Sequence, residues 1–167
     1  IGIGSFIGKH ATDRQVVLEQ LLPSLGFDPK EGKRQDGLLR VWNGHHPLNG
    51  DGLIAIGDAA SLCDPFLAEG LRPALLSGYE AASSINSWLE GDNNALNDYT
   101  KVMKEKWGDS MAWGKRISQV FYRFPKVGYQ LGVKRPTAPK RIAEILSGKI
   151  GYGEIAERVI KRLILRR

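Results

Sequence analysis

Residues 53–82, LIAIGDAASLCDPFLAEGLRPALLSGYEAA, hold the side chains whose types and spacing suit chemistry. A short apolar run ends at Gly57, where a glycine lets the chain leave a strand sharply. Asp58 follows at the carboxyl end of that strand, the position where open α/β sheets bind ligands. An ionised carboxylate accepts hydrogen bonds and suits a ligand hydroxyl. Ala59 and Ala60 leave room for close backbone approach. Gly70 falls at the first turn of a helix, whose free N–H groups and positive dipole end face negative charge well. Ser77-Gly78 and Ala81-Ala82 keep that helix narrow enough to pack closely on a sheet. As a plain turn or capping residue, Asp58 would need no ligand at all.

These residues need elements to position them. Residues 1–8 alternate apolar residues with glycine or polar ones and predict a strand. Thr12 is placed to cap a helix from Asp13 to Leu22, with Val16, Val17, Leu21 and Leu22 on one face and Pro23 and Gly26 as stops. Leu38–Trp42 predicts a second strand. Leu53–Ile56 predicts a buried central one. A long helix starts near Glu69, with Leu71, Leu75, Gly78, Ala82, Ile85 and Leu89 as its apolar stripe. Gly91–Asn94 breaks the chain. Helical segments then follow at 95–107 and 111–124, another after Pro136 and Pro139 runs to Leu146, and a last one after Gly148–Gly153 ends near Leu165. The fold class expected is α/β followed by a mostly helical region. The domains expected are residues 1–90 and 91–167.

Charge sharpens that division. Residues 1–100 carry 7 Lys/Arg against 13 Asp/Glu, whereas residues 101–167 carry 17 against 5. A shift of this size predicts a basic surface on the second part, suited to an anionic membrane surface or a diphosphate. Nucleic acid is not an expected partner, because no Cys/His finger or other binding module is present in the sequence. The single Cys63 excludes an internal disulfide and a cysteine-rich zinc site, and suits a reducing compartment. No apolar run approaches the roughly 20 residues of a membrane-spanning helix. The expected location is cytoplasmic, with peripheral membrane contact.

The spacing Gly57-Asp58-Ala59-Ala60, then Pro65, Gly70, Ala74 and Ser77-Gly78, resembles the second flavin-contacting motif of FAD-dependent oxidoreductases related to p-hydroxybenzoate hydroxylase. Gly148-Lys149-Ile150-Gly151-Tyr152 and the amphipathic helix after it resemble the C-terminal end of the geranylgeranyl reductase family within that group. The resemblance implies the C-terminal part of an FAD/NAD(P)-binding flavoprotein fold. It implies that Asp58 accepts from a ribityl hydroxyl of FAD and that Pro65 shapes the isoalloxazine pocket. Gly57 and Ala59 belong to the same turn, and the backbone of Gly70 and Leu71 would approach the flavin's pyrimidine edge. The implied reaction is hydride transfer from reduced flavin to carbon–carbon double bonds of a geranylgeranyl or other polyprenyl group, with NADPH or ferredoxin as electron donor. A flavin monooxygenase or halogenase of the same group is the alternative enzyme. A basic, non-catalytic membrane-peripheral module is the alternative of another class. The catalytic acid is not identified by the sequence.

The dinucleotide fingerprint G-x-G-x-x-G is not formed by Gly2, Gly4 and Gly8. The adenosine and pyrophosphate half of such a site is therefore expected from an N-terminal part of the same protein, and this chain reads as its C-terminal portion. Cys63 and His46 are candidate substrate contacts. His45 and His46 diverge as neighbours, so no metal site is expected of them. Trp107, Trp113, Phe121, Tyr122 and Phe124 suit interhelical packing or an isoprenoid tunnel wall. Ile155, Ala156, Val159, Ile160 and Leu163, flanked by Arg158, Lys161, Arg162, Arg166 and Arg167, give the last helix an apolar face. That face suits packing or a membrane surface.

Overall fold

The computed structural model describes residues 1–5 and 13–164. They fall into two units, 1–38 and 39–167. In the first unit Asp13 caps helix α1 (Arg14–Ser24), its carboxylate accepting from the Gln15 N–H at 2.9 Å. Asp13 thus stands at the cap position rather than inside the helix. Residues 6–8 of the expected first strand, and the expected cap Thr12, lie outside the described residues. Pro23 sits inside the last turn, and α1 buries none of its residues.

The second unit is built around a helical core. Strands β1 (Asn49–Gly50) and β2 (Leu53–Ile54) pair antiparallel, with Asn49 opposite Ile54. Helix α2 (Leu71–Leu89) packs on α3 (Ala95–Met103). A π-helical turn, Lys104–Gly108, carries α3 directly into α4 (Asp109–Arg123). The expected segments 95–107 and 111–124 are thus one helical run with a local change of pitch. Short α5 (Pro125–Gly128) and a second π-helical turn, Tyr129–Val133, fold back on α4. Helices α6 (Ala138–Leu146) and α7 (Tyr152–Ile164) complete the unit, with α7 against α4. The core gathers Trp42, Leu62, Tyr99, Met103, Trp107 and Tyr152, among others. The boundary expected near residue 90 falls within this unit.

The expected mostly helical region is present, and the sheet beside it is small. The described residues are mostly helical, and their only sheet is the β1–β2 pair. Leu38–Trp42 supplies a single parallel bridge, Val41 to Cys63, rather than a strand. Leu53–Ile56 is not a buried central strand, for Leu53 is 71% exposed. A strand needs neighbours along its length to satisfy its backbone groups, and among the described residues these segments have only the short β1 pairing and the single Val41–Cys63 bridge.

The apolar stripe of α2 also turns out differently. Its buried face is Pro73, Ser77 and Ala81, whereas Leu71, Leu75 and Leu89 are exposed. Small side chains let the backbone of another element come close, so the small-residue face of α2 takes the core side. On α7, Tyr152 and Ala156 are buried, so the start of its apolar face packs inward. The side chains of Val159, Ile160, Arg162 and Leu163, and the whole of Arg166 and Arg167, lie outside the described set.

Candidate functional site

Gly57 adopts φ +53° and is buried against α2, where a Cβ would lie 3.2 Å from that of Ala74. A side chain there would have to shift the helix, and left-handed backbone disfavours one in any case. The Gly57 N–H donates to the Ser77 hydroxyl at 2.9 Å, and that hydroxyl donates to the Ala74 carbonyl at 3.1 Å. Ser77 therefore couples the turn to the middle of α2. Residues 57–60 form one 3₁₀ turn, ending at Ser61 with φ +53°.

The chain then enters a loop held by Asp64, which is 2% exposed. Asp64 Oδ1 accepts from the N–H groups of Phe66 at 2.7 Å and Leu67 at 2.8 Å, spanning the buried Pro65. This is an Asx-type turn. Asp64 Oδ2 accepts from the hydroxyl of Tyr152, 88 residues away, at 2.7 Å. The Asp64 N–H donates to the Glu69 carbonyl at 2.8 Å and closes the loop. Burial, then the Asp64 charge, holds the Tyr152 phenol well above its ordinary pKa. The phenol stays a donor to the carboxylate across the ordinary pH range.

The loop returns the chain to Gly70 at the N-terminus of α2. A Cβ on Gly70 would lie 3.0 Å from Asp58 Oδ1 and 3.8 Å from the Cys63 sulfur. Asp58, Cys63 and Gly70 therefore lie side by side. Asp58 is exposed, and no donor among the described residues reaches its carboxylate. The turn and capping work falls elsewhere, to Asp64 and to Glu69, whose Oε1 accepts from the Arg72 N–H at 2.7 Å. Asp58 is left as a free acceptor beside a helix N-terminus. That arrangement can receive a ligand hydroxyl, with the Leu71 N–H at the helix start beside it, since Pro73 has no N–H. Leu71 projects outward at 72% exposed, and Ala59 is exposed on the turn.

Cys63 lies within the core at 1% exposed. Burial, reinforced by Asp58, Asp64 and Glu69, pushes its thiol from 9.0 up to about 11. The thiol is therefore protonated at neutral pH and is a poor nucleophile. Burial, with the charge of Glu80, likewise pushes Tyr99 up to about 12. Both groups ionise more easily in the unfolded chain. The stability they support is complete below pH 9 and is lost as pH rises towards 11 and 12. One raised thiol contributes about 2–3 kcal/mol of this loss between pH 9 and 11. Urea unfolding at pH 7, 9 and 10.5 should show the decline, and Cys63→Ala should flatten it. An equal slope in the variant would refute the assignment.

His46 is exposed and shares a hydrogen bond with Asn43 Oδ1 at 2.7 Å. His45 stands edge-on to Trp42 with ring centroids 5.3 Å apart, and its Nε2 is 3.5 Å from Asp109. Neither histidine joins the Asp58 turn. Among the described residues no His, Cys, Asp and Glu are grouped to hold a metal ion. Trp107 is buried, and its Nε1–H donates to the Leu62 carbonyl at 2.8 Å. A cavity of about 150 Å³ beside it is lined by Asp64, Glu69, Arg72, Trp107, Ser110 and Tyr152, with further residues of α4 and α6. Arg72 lies over the Trp107 ring at 4.9 Å, and a side chain at Gly148, whose φ is +73°, would overlap its guanidinium. Trp113, Phe121 and Phe124 do not line this cavity. Phe121 instead packs edge-on against Phe66 in the Asp64 turn, with ring centroids 5.2 Å apart.

Asp64 and Tyr152 are the residues that sequence reasoning did not single out as a pair. The Asp-Pro step at 64–65 is itself a turn signal, but nothing in the sequence links it to residue 152. Among the described residues no helix is long and apolar enough to cross a membrane. Comparison with protein-family models, with curated proteins and with solved structures finds no match to this chain.

Proposed function

We propose that the chain carries the flavin-facing segment of an FAD-dependent oxidoreductase that reduces carbon–carbon double bonds in a polyprenyl group. The observation that carries this reading is the Asp58 carboxylate. It is exposed, free of donors among the described residues, and set beside Gly70 at the start of a 19-residue helix. A structural aspartate would be occupied, as Asp64 is.

Asp58 would hold a ribityl hydroxyl of FAD. The N–H groups of Gly70 and Leu71 would face the pyrimidine edge, since Glu69 holds that of Arg72 and Pro73 has none, and Gly70 leaves the approach open. Pro65, fixed by the Asp64 turn, would shape the ring pocket. Bound FAD supplies hydride in its reduced form. This chain's residues bind and orient, and the positive end of α2 favours negative charge nearby. The adenosine and pyrophosphate half would come from a dinucleotide-binding part, for which the exposed stripe of Leu71, Leu75 and Leu89 offers a surface.

The test is the flavin absorption of the purified protein in its longest natural form, beside Asp58→Ala. The variant should hold FAD about tenfold more weakly, the worth of one hydrogen bond to a charged acceptor. Its stability should change by less than about 0.5 kcal/mol, because Asp58 is exposed and has no donor among the described residues. A colourless protein that takes up no added FAD would sink this reading.

A further inference from the structure

We infer that the surface formed by the end of α4, α5 and the following π-helical turn docks on an anionic lipid bilayer. Residues 110–143 contain no Asp or Glu, and they carry Lys115, Arg116, Arg123, Lys126, Lys134, Arg135, Lys140 and Arg141. Of these eight cations only Arg141 has a carboxylate partner among the described residues, Glu144 at 2.9 Å. Arg123, Lys126, Lys134, Arg135 and Lys140 are exposed.

Apolar side chains stand exposed among these cations: Val120, Phe124, Val127, Tyr129 and Val133. Phe124 is 59% exposed. The segment is held in place on its inner side. Gly128 lies against the Phe121 ring, where a Cβ would be 2.6 Å from Cδ2, and Phe121 meets Phe66. The outward apolar groups therefore sit on a supported hairpin.

Charge complementarity and side-chain type select the occupant together. A bilayer interface accepts cations at its headgroups and aliphatic and aromatic groups just beneath them. A nucleic-acid backbone would use the cations but would leave Val120, Val127 and Val133 without a partner. Neither signal alone gives stable attachment, whereas a basic cluster combined with apolar insertion does. This surface goes beyond the flavin reading and does not depend on it, because vesicle binding is measured without flavin.

The test is cosedimentation of the full chain with phosphatidylcholine vesicles, with and without phosphatidylserine. The chain should sediment with the anionic vesicles only, and added salt should release it. The triple variant Arg123→Gln, Lys126→Gln, Lys134→Gln should bind on the order of a hundredfold more weakly, about fivefold per cation. The double variant Phe124→Ser, Val127→Ser should also bind more weakly at unchanged charge. All five side chains are exposed, so both variants should melt as the parent does. A triple Arg123→Lys, Lys126→Arg, Lys134→Arg control should bind normally. The inference stands if both variants lose binding and the control does not. It is overturned if either variant binds like the parent, if anionic vesicles do not bind, or if a DNA duplex competes more tightly than the vesicles.

Discussion

Asp64→Ala is expected to lower the unfolding free energy by about 3–5 kcal/mol, the sum of stranding several buried donors. Two backbone N–H groups, of Phe66 and Leu67, and the Tyr152 hydroxyl all donate to this one carboxylate. Asp64 is 2% exposed and Tyr152 1%, so water does not readily replace the lost acceptor. Tyr152→Phe removes one donor and leaves Asp64 Oδ2 unpaired, at about 1.5–3 kcal/mol. The two changes should not add, because they break one shared bond. Their double variant should fall short of the sum by about 1 kcal/mol or more. Asp64→Asn retains a carbonyl for the two N–H groups and should cost less than alanine. Urea unfolding of the four variants checks this. A cost below about 1 kcal/mol for Asp64→Ala would show that the clasp does not hold the loop.

Trp107→Ala is expected to cost about 3–5 kcal/mol, the usual range for a large aromatic removed from a core. Trp107 is among the largest fully buried side chains, with 2% of its surface exposed. Its loss also leaves the Leu62 carbonyl without its donor and removes the ring under Arg72. Trp107→Phe separates these effects. It keeps most of the apolar area but lacks the N–H, and should cost about 1–2 kcal/mol. Thermal and urea midpoints read the difference, with unchanged m-values marking a change in stability alone. Equal costs for phenylalanine and alanine would place the whole effect in the hydrogen bond. A negligible cost for alanine would contradict the position of Trp107 in the core.

The two variants bear on the Asp58 turn in different ways. Asp64 fixes the loop that carries Pro65 and returns the chain to Gly70. Trp107 anchors Leu62 at the head of that loop. Both are buried whereas Asp58 is exposed, so their loss should disturb any ligand held at the turn indirectly. Asp58→Ala should leave stability untouched. That contrast separates a ligand-facing carboxylate from a structural one only six residues away.

The sequence by itself determined the features that depend on local chemistry. Gly57 marked the sharp turn, Gly91–Asn94 the break after the long helix, and the 3.6-residue period the helices of the C-terminal half. The charge step near residue 100 needed only counting.

Tertiary structure alone decided the rest. Periodicity predicted an apolar stripe on α2, but the core took Pro73, Ser77 and Ala81 instead. A helix period shows that faces differ; the neighbouring element decides which face it can approach closely. The run at 53–56 had the composition of a buried strand, yet a strand exists only with partners, and β1 is its sole one among the described residues. Asp58, in Gly-Asp-Ala-Ala, and Asp64, in Cys-Asp-Pro-Phe, are the same side chain six residues apart. Three donors, one of them 88 residues away in sequence, make Asp64 structural, and the absence of any such donor among the described residues leaves Asp58 free. That distinction rests on which groups meet in space, which no local pattern encodes.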